Sequence, residues 1–282
     1  MFKIDDIKHK FKESLLSTFS INEILSMWNL WVLKYVFKIS QIDYLNNSDL
    51  IVSEEERQQV HCLVKHLLCN KPIQYFFGFT YFKSLKIHVN SDVLIPRPET
   101  EQLIDIFFSK SNYNSSHQII DIGTGSGCIS IAIKKYIQSQ IYAIDICNDA
   151  LEIANQNAVM NNVEVDFQNI NILNQHDHNF LPKIDAIISN PPYVMRAEVP
   201  KNSIIYSEPS QAIFVPCDNP LIFYNAICQF ANSNLKTGGK IFFEINPKLI
   251  EDLIKLINRY GYFNIEIHKD FYEKKRFIVV YS

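Results

Sequence analysis

From residue 118 to the end of the chain, strand-like apolar segments alternate with helix-like amphipathic segments, and this order constrains the fold more than any other feature. Strands that alternate with helices favour a mainly parallel sheet covered by helices on both faces. The predicted strands span Gln118 to Ile122, Ile141 to Ile146, Val163 to Phe167, Ile184 to Ser189, Lys240 to Ile245, Phe263 to His268 and Phe277 to Tyr281. The sequence therefore predicts an α/β fold.

The first eighty residues have a different, helical pattern. Ser20 with Glu23 and Ser53 with Glu56 fit the capping box, in which a serine and a glutamate three positions later bind free backbone N–H groups. Apolar residues follow each box at helical spacing. Because 282 residues are many for one hydrophobic core, we expect a small helical domain beside a larger α/β domain.

The segment FFGFTYFKSLKIHV predicts two extended stretches around Lys83 and Ser84, which is typical of a hairpin. A helical pattern also begins near Glu99. We therefore predict a helical domain over residues 1–75, a linking hairpin over 76–92 and the α/β domain over 93–282.

Composition argues against several classes of protein. The net charge is −3, and residues 1–80 carry equal numbers of basic and acidic residues, so no basic footprint predicts a stable nucleic-acid partner. No stretch approaches the ~20 apolar residues of a membrane span, and the N-terminal MFKIDDIKHK is unlike a signal peptide. The six cysteines form no C-x-x-C pair, so neither zinc nor disulfides are expected. We expect a cytoplasmic protein, and a monomer by default.

Three of the seven glycines follow the first predicted strand, in the stretch Asp121-Ile122-Gly123-Thr124-Gly125-Ser126-Gly127. Glycines before a helix let the backbone turn tightly and approach a ligand. The second strand reaches Asp145, whose carboxylate can accept hydrogen bonds from both hydroxyls of a ribose. Because open parallel sheets bind ligands at the carboxyl ends of their strands, these residues predict a site for an adenosine-containing cofactor.

Details of the loop argue against two common nucleotide-binding motifs. The dinucleotide fingerprint G-x-G-x-x-G fails at Cys128 when it starts from Gly123, and at Ser130 when it starts from Gly125. The G-K-[ST] sequence of a phosphate-binding P-loop occurs nowhere in the chain.

The fourth predicted strand is followed by Asn190-Pro191-Pro192-Tyr193. Proline disfavours helix at the preceding residue, so the Asn190 amide is expected to project from an extended chain into the cleft. The Asn190 side-chain oxygen and the Pro191 carbonyl offer two acceptors to a planar NH₂ group, on which Tyr193 can stack. Such a pocket selects an sp² amino group.

The glycine motif and the acidic end of the second strand resemble the class I S-adenosylmethionine-dependent methyltransferases, which have a Rossmann-like, seven-stranded, mainly parallel sheet. N-P-P-Y resembles the motif shared by methyltransferases of adenine N6 and of glutamine amides. Three further stretches are similar, in order and spacing, to the HemK/PrmC family of peptide chain release factor N5-glutamine methyltransferases: PIQY from Pro72, VLIPRPETE from Val93 and EPSQA from Glu208. Pro98 favours this family over a sister family that modifies a ribosomal protein.

The resemblance implies methyl transfer from S-adenosyl-L-methionine to the amide nitrogen of the glutamine in the Gly-Gly-Gln motif of class 1 peptide chain release factors. Residues 1–75 would then help to recognise this partner, and residues 93–282 would form the methyltransferase domain. The implied catalytic residues are Asn190, Pro191, Pro192 and Tyr193. The implied cofactor-binding residues are Gly123, Thr124, Gly125, Ser126, Gly127, Asp145, Asn171, Ile172 and Asn190, with no metal.

Two other functions stay open. An adenine N6 methyltransferase acting on RNA or DNA would use the same N-P-P-Y motif, although the neutral N-terminal region offers no basic stripe. A cofactor-binding module without catalysis is the other alternative, and the intact motif argues against it. Arg97 could pair with the partner, cap the cofactor cleft, or form an ion pair with Glu99 or Glu101.

The sequence departs from the family pattern in three loops. Aspartate followed by an aromatic residue is usual where this chain has Asn171 and Ile172. Glycines are expected at Asn246 and within Val215 to Cys217. These changes concern loop geometry rather than the type of reaction.

Overall fold

The computed structural model describes residues 2–47, 50–110 and 112–282. The chain separates into two compact units. The first comprises Met1–Phe77 with Asn202–Ser207, and the second comprises Gly78–Lys201 with Glu208–Ser282. The predicted recognition role of the N-terminal region stays a prediction.

The first unit is helical and has its own hydrophobic core. Its α-helices are Ile4–Leu15, Ile21–Met27, Gln41–Asn46, Glu54–Leu68 and Ile73–Phe77. A π-helical stretch, Trp28–Val36, continues the second helix and was not predicted. Phe2–Lys3 pairs antiparallel with Ile51–Val52, and Ile204–Ser207 forms a 3₁₀ turn. The indole of Trp28 is fully buried between the rings of Phe11 and Phe37.

Serine caps begin two of these helices as predicted. The Ser20 Oγ accepts a hydrogen bond from the Glu23 backbone N–H, and the Glu23 carboxylate accepts one from the Ser20 N–H at 2.8 Å. Ser53 and Glu56 repeat this arrangement. Both capping boxes are therefore confirmed, and each satisfies backbone groups that a helix start leaves unpaired.

Seven strands form the central sheet of the second unit. In chain order they are β1 (Gln118–Ile122), β2 (Gln140–Asp145), β3 (Asp166–Asn169), β4 (Ile184–Ser189), β5 (Leu235–Glu244), β6 (Asn264–Lys269) and β7 (Lys275–Tyr281). The spatial order is β6-β7-β5-β4-β1-β2-β3, and only β7 runs antiparallel to its neighbours. The predicted seven-stranded, mainly parallel sheet is confirmed.

The strand boundaries that differ most from the prediction are the starts of β3 and β5. β3 starts at Asp166 rather than Val163, because an edge strand is bounded by polar residues and hydrophobicity marks it poorly. β5 starts at Leu235 rather than Lys240, and its register against β4 shifts between these two residues. Glycines at 238 and 239 interrupt the apolar pattern there and hid the first part of the strand.

Helices cover this sheet on both faces, as predicted. On β5, Phe243 packs against Tyr224 with ring centroids 5.2 Å apart, and its neighbour Phe242 packs against Phe107 at 5.1 Å. Adjacent strand residues point to opposite faces, so these two contacts belong to two helical layers. The α-helices of the unit are Pro98–Lys110, Cys128–Tyr136, Asn148–Met160, Ser210–Ile213, Ile222–Asn234 and Ile250–Arg259.

Shorter elements complete the second unit. The predicted hairpin is confirmed as Phe79–Phe82 paired with Leu85–His88. Its turn residues Lys83 and Ser84 have φ of +48° and +64°, which matches the left-handed turn that fits the twist of a hairpin. The remaining elements are 3₁₀ turns at Gln175–Phe180, Arg196–Glu198 and Pro247–Leu249, and the parallel pair Val194–Met195 with Phe214–Val215.

Some features are absent from the part of the chain that the structure describes. None of its helices combines the length and apolar composition that crossing a bilayer requires. No cluster of histidine, cysteine or acidic side chains in it could hold a metal ion. The cysteines are free thiols.

Candidate functional site

A cavity of about 230 Å³ lies among the loops that follow β1, β2, β3 and β4. The strand order reverses between β1 and β4, and open parallel sheets bind ligands at such a point. The predicted residues that line the cavity are Gly123, Thr124, Gly125, Ser126, Asp145, Asn171, Ile172, Asn190, Pro191 and Pro192. Gly127 and Tyr193 are not among the described residues that line the cavity.

The loop after β1 turns on glycines in the left-handed conformation. Gly123, Gly125 and Gly127 have φ of +75°, +53° and +78°. A Cβ atom on Gly127 would also lie 3.1 Å from the Cβ of Ala154, so a larger residue there would be both strained and crowded. The helix Cys128–Tyr136 starts directly after Gly127, and its first two residues line the cavity. The loop thus brings backbone N–H groups close to a ligand.

Asp145 ends β2, and its carboxylate is fixed by backbone groups. Oδ2 accepts a hydrogen bond from the Gly125 N–H at 2.9 Å, and Oδ1 accepts one from the Cys147 N–H at 3.0 Å. Each oxygen keeps a further lone pair, and the side chain lines the cavity. Burial raises the pKa of Asp145, and the backbone N–H groups oppose that rise. A carboxylate held in this way can accept hydrogen bonds from two adjacent hydroxyls.

Asp121, the first residue of the glycine motif, is fully buried beside the loop. Its Oδ2 accepts hydrogen bonds from the Thr124 hydroxyl at 2.6 Å and from the Ser130 N–H at 3.2 Å. Its Oδ1 has no hydrogen-bond partner within the described ranges. Burial raises the pKa of Asp121 to about 7. Asp121 is not part of the cavity lining, so it supports the loop from behind through Thr124 and Ser130.

We expect Asp121→Asn to change how stability depends on pH. The pKa of Asp121 is about 7 in the folded chain against an ordinary 3.8, so the folded state loses stability relative to the unfolded state as the pH rises between these values. The asparagine variant lacks this loss. Its free energy of unfolding relative to that of the parent should therefore increase with pH, by ~1–4 kcal/mol between pH 4.5 and 7. Denaturant unfolding of both chains at several pH values measures this difference. A difference that does not change with pH would contradict the assignment.

Asn190, Pro191 and Pro192 follow β4 and form one side of the cavity. The Asn190 Nδ2 donates a hydrogen bond to the Thr100 hydroxyl oxygen at 3.1 Å. No described residue forms a hydrogen bond with the Asn190 Oδ1 or with the Pro191 carbonyl oxygen. Asn190 and Pro191, which both line the cavity, therefore each carry an acceptor that no described residue uses.

Tyr193 lies behind this side of the cavity. Its hydroxyl donates a hydrogen bond to the Glu244 Oε1 at 2.8 Å, and its ring packs against the core of the sheet. Burial raises the pKa of Tyr193 far above its ordinary value, so the hydroxyl keeps its proton and stays a donor. The expected stacking of Tyr193 on a substrate group stays a prediction.

Asn246 replaces the glycine of the family pattern without backbone strain, because its φ is −76°. Its side-chain oxygen accepts a hydrogen bond from the Lys248 N–H at 3.0 Å. Its Nδ2 donates to the Tyr193 carbonyl oxygen at 3.2 Å and to Glu198 at 3.1 Å. The substitution therefore adds a hydrogen bond to the N-P-P-Y segment rather than distorting the loop.

Arg97 forms an ion pair with Glu208, and the alternative pairing with Glu99 or Glu101 was wrong. The Glu208 side chain is 2% exposed and also accepts a hydrogen bond from the Ile95 N–H at 3.1 Å. Arg97 lines the cavity at the same time. The pairing joins the stretches VLIPRPETE and EPSQA, whose long separation in the sequence gave no sign of the contact.

Sequence reasoning also missed residues that enter the cavity from other elements. Thr100 belongs to a stretch that carried the resemblance, but its hydroxyl was given no role. Phe223 and Ile227 come from the helix Ile222–Asn234, which has no motif. Cys128 also lines the cavity, and burial raises the pKa of its thiol to about 12, so it is protonated and unreactive at neutral pH.

The chain is similar to known methyltransferases. Residues 99–206 match the family model of the methyltransferase small domain. A release factor glutamine methyltransferase of Flavobacterium psychrophilum is 37% identical over 285 residues, which cover 98% of each chain. One of Bacteroides thetaiotaomicron is 33% identical over 243 residues, which cover 85% of this chain and 86% of the relative.

Solved structures agree on the fold. A methyltransferase from Pyrococcus furiosus matches with a TM-score of 0.54 and 19% sequence identity, over 77% of this chain and 96% of that one. At this identity the match shows the class I methyltransferase fold alone. The near full-length similarity to the two bacterial relatives goes further and shows that the chain is a methyltransferase of the release factor glutamine methyltransferase family.

Proposed function

We propose that this protein transfers a methyl group from S-adenosyl-L-methionine to the side-chain amide nitrogen of the glutamine in the Gly-Gly-Gln motif of peptide chain release factors. The observation that carries the proposal is the pair of free acceptors at the cavity, the Asn190 Oδ1 and the Pro191 carbonyl oxygen. A primary amide has two N–H groups to donate, so the pair matches its protons. Family membership supports the same substrate.

The residues at the opposite side of the cavity fit the cofactor. Gly123 to Gly127 would receive its amino-acid portion. Asp145 would accept hydrogen bonds from its ribose hydroxyls. Asn171 and Ile172, which follow β3, would border its adenine. Bound S-adenosyl-L-methionine would supply an electrophilic methyl group on a sulfonium.

The residues of this chain promote the reaction by positioning and by electrostatics. An amide nitrogen is a poor nucleophile because its lone pair is delocalised, so alignment must supply much of the rate, and alignment is worth ~7–11 kcal/mol in favourable cases. As the nitrogen accepts the methyl group it becomes more positive. The Asn190 and Pro191 oxygens, aimed at its protons, stabilise this charge. The methylated nitrogen is acidic and loses a proton to solvent, so no general base is needed.

Partners and location follow from the same proposal. Class 1 release factors would be the protein substrates, and the first unit, residues 1–77 with 202–207, would supply contacts to them beyond the glutamine. We propose a cytoplasmic location because release factors act in translation, and a monomeric state. We propose no membrane partner and no stable nucleic-acid partner. The net charge of −3 gives no sign of the basic surface that a nucleic-acid partner would need.

The direct test is methyl transfer from labelled S-adenosyl-L-methionine to a purified release factor. The matched control is the same factor with its Gly-Gly-Gln glutamine changed to alanine, and total RNA is assayed in parallel. We expect label on the unaltered factor alone. Label on RNA with none on the factor would overturn the proposal in favour of adenine methylation.

A further inference from the structure

A row of hydrogen bonds starts at the Asn190 side of the cavity and leads into the core. The Asn190 Nδ2 lies 3.1 Å from the Thr100 Oγ1, which lies 2.7 Å from the Glu244 Oε2. Thr100 and Glu244 are 2% and 1% exposed. Thr100 belongs to the first turn of the helix Pro98–Lys110, and Glu244 is the last residue of β5. Three elements that are distant in sequence therefore converge on the Asn190 amide.

The direction of these hydrogen bonds follows from counting protons. A carboxylate can only accept, so the single hydroxyl proton of Thr100 points to Glu244. The Thr100 oxygen can then only accept a hydrogen bond from Asn190. The Asn190 group that faces it must therefore be the NH₂. The Asn190 oxygen consequently turns the other way, and no described residue binds it.

Glu244 is held as the acceptor at the end of this row. Its Oε1 accepts the Tyr193 hydroxyl at 2.8 Å while its Oε2 accepts that of Thr100, so each oxygen receives one hydroxyl proton. Burial raises the pKa of Glu244, and these two donors together with the charge of Arg276 oppose that rise. The Thr100 and Tyr193 hydroxyls and the charge of Arg276 all favour the ionised form of Glu244, which accepts at both oxygens.

The orientation of the Asn190 amide decides what the cavity accepts. With the oxygen toward the cavity, Asn190 and the Pro191 carbonyl both accept, which suits the two N–H groups of a primary amide. With the amide turned over, its NH₂ would face the NH₂ of the substrate, and two donors repel. The turned-over amide would instead suit a carboxylate, which only accepts.

We propose that Thr100 and Glu244 are positioning residues that hold the Asn190 oxygen toward the substrate, so that the site accepts the amide of glutamine and discriminates against the carboxylate of glutamate. This inference rests on the proposed function and adds to it the origin of the selectivity for an amide. Neither residue needs to touch the substrate, because each acts through Asn190.

The test compares Thr100→Val with Thr100→Ser in the full chain. Valine keeps the approximate shape of threonine without the hydroxyl, whereas serine keeps the hydroxyl. We expect Thr100→Val to lower kcat by ~10–100-fold. This range corresponds to the loss of one buried hydrogen bond, after which the Asn190 oxygen is no longer held in place. Cofactor affinity, measured by calorimetry, should stay within about twofold of the parent, and Thr100→Ser should keep kcat within about threefold.

Discrimination between glutamine and glutamate separates positioning from packing. A release factor with glutamate in place of the Gly-Gly-Gln glutamine serves as a competitive inhibitor, and its inhibition constant is compared with the KM of the unaltered factor. In Thr100→Val the Asn190 amide can turn its NH₂ group toward a carboxylate. The ratio of the inhibition constant to KM should therefore fall about tenfold. A purely structural role for Thr100 would not move this ratio.

Each outcome decides the inference. Thr100→Val with the parent's kcat and the parent's discrimination would overturn it, as would equal impairment of the valine and serine variants. Should Thr100→Val fail to fold, Thr100→Ala takes its place, because alanine also lacks the hydroxyl that binds Glu244 and Asn190 and should show the same losses. Absence of factor methylation by the unaltered chain would overturn the proposed function itself, and this inference with it.

Discussion

Asn190→Ala is expected to lower kcat for release factor methylation by ~10²–10³-fold, the size of effect seen when one preorganised transition-state contact is removed. The substitution deletes the side-chain oxygen that is free at the cavity and leaves the Pro191 carbonyl as the remaining acceptor. Because the cofactor would be held mainly by the glycine loop and Asp145, its affinity should be nearly unchanged. Steady-state kinetics with a release factor, together with calorimetry of cofactor binding, measures both quantities.

Asn225→Ala is the matched control for this substitution. Asn225 is exposed, and its side-chain oxygen accepts a hydrogen bond from the Tyr260 hydroxyl on a helix face away from the cavity lining. It should keep the kcat of the parent. An Asn190→Ala chain that retained kcat within about threefold of the parent would show that the amide acceptor is not what promotes the reaction.

The sheet could be predicted because it is buried on both faces. β1 and β4 lie at its centre, most of their residues are apolar and buried, and their bounds were predicted without error. The predicted strand bounds were less accurate where a strand is less buried or where its run of apolar residues is interrupted. The edge strand β3 was misplaced, and the start of β5 was hidden by two glycines. Hydrophobicity reports burial, so it reports strand position only where burial is continuous.

The candidate site was predicted in part, for a related reason. Residues at or just after the end of a strand, such as Asp145 and Asn190, carry their chemistry in a local motif. Several other contacts at the site are not local. Thr100 and Glu244 are far apart in the chain, and so are Arg97 and Glu208. Only the strand order brings such partners together, so no motif spacing could have revealed them.

Asp145→Ala is expected to weaken binding of the cofactor or of its demethylated product by ~10²-fold or more. The carboxylate would accept hydrogen bonds from two ribose hydroxyls, and hydrogen bonds to charged groups contribute ~1.5–3 kcal/mol each. The same carboxylate fixes the N–H groups of Gly125 and Cys147, so its removal also loosens the glycine loop. Calorimetric titration with S-adenosyl-homocysteine measures the change without a protein substrate.

Asp149→Ala controls for the loss of one negative charge in the same region. Asp149 is exposed in the first turn of the helix that follows Asp145, so its replacement should change cofactor affinity by less than about threefold. Asp145→Asn then separates charge from shape. An asparagine is similar in size but cannot accept from both backbone N–H groups, because one of its two positions is a donor. It should therefore bind the cofactor nearly as weakly as the alanine variant, and full affinity in Asp145→Asn would remove Asp145 from the cofactor site.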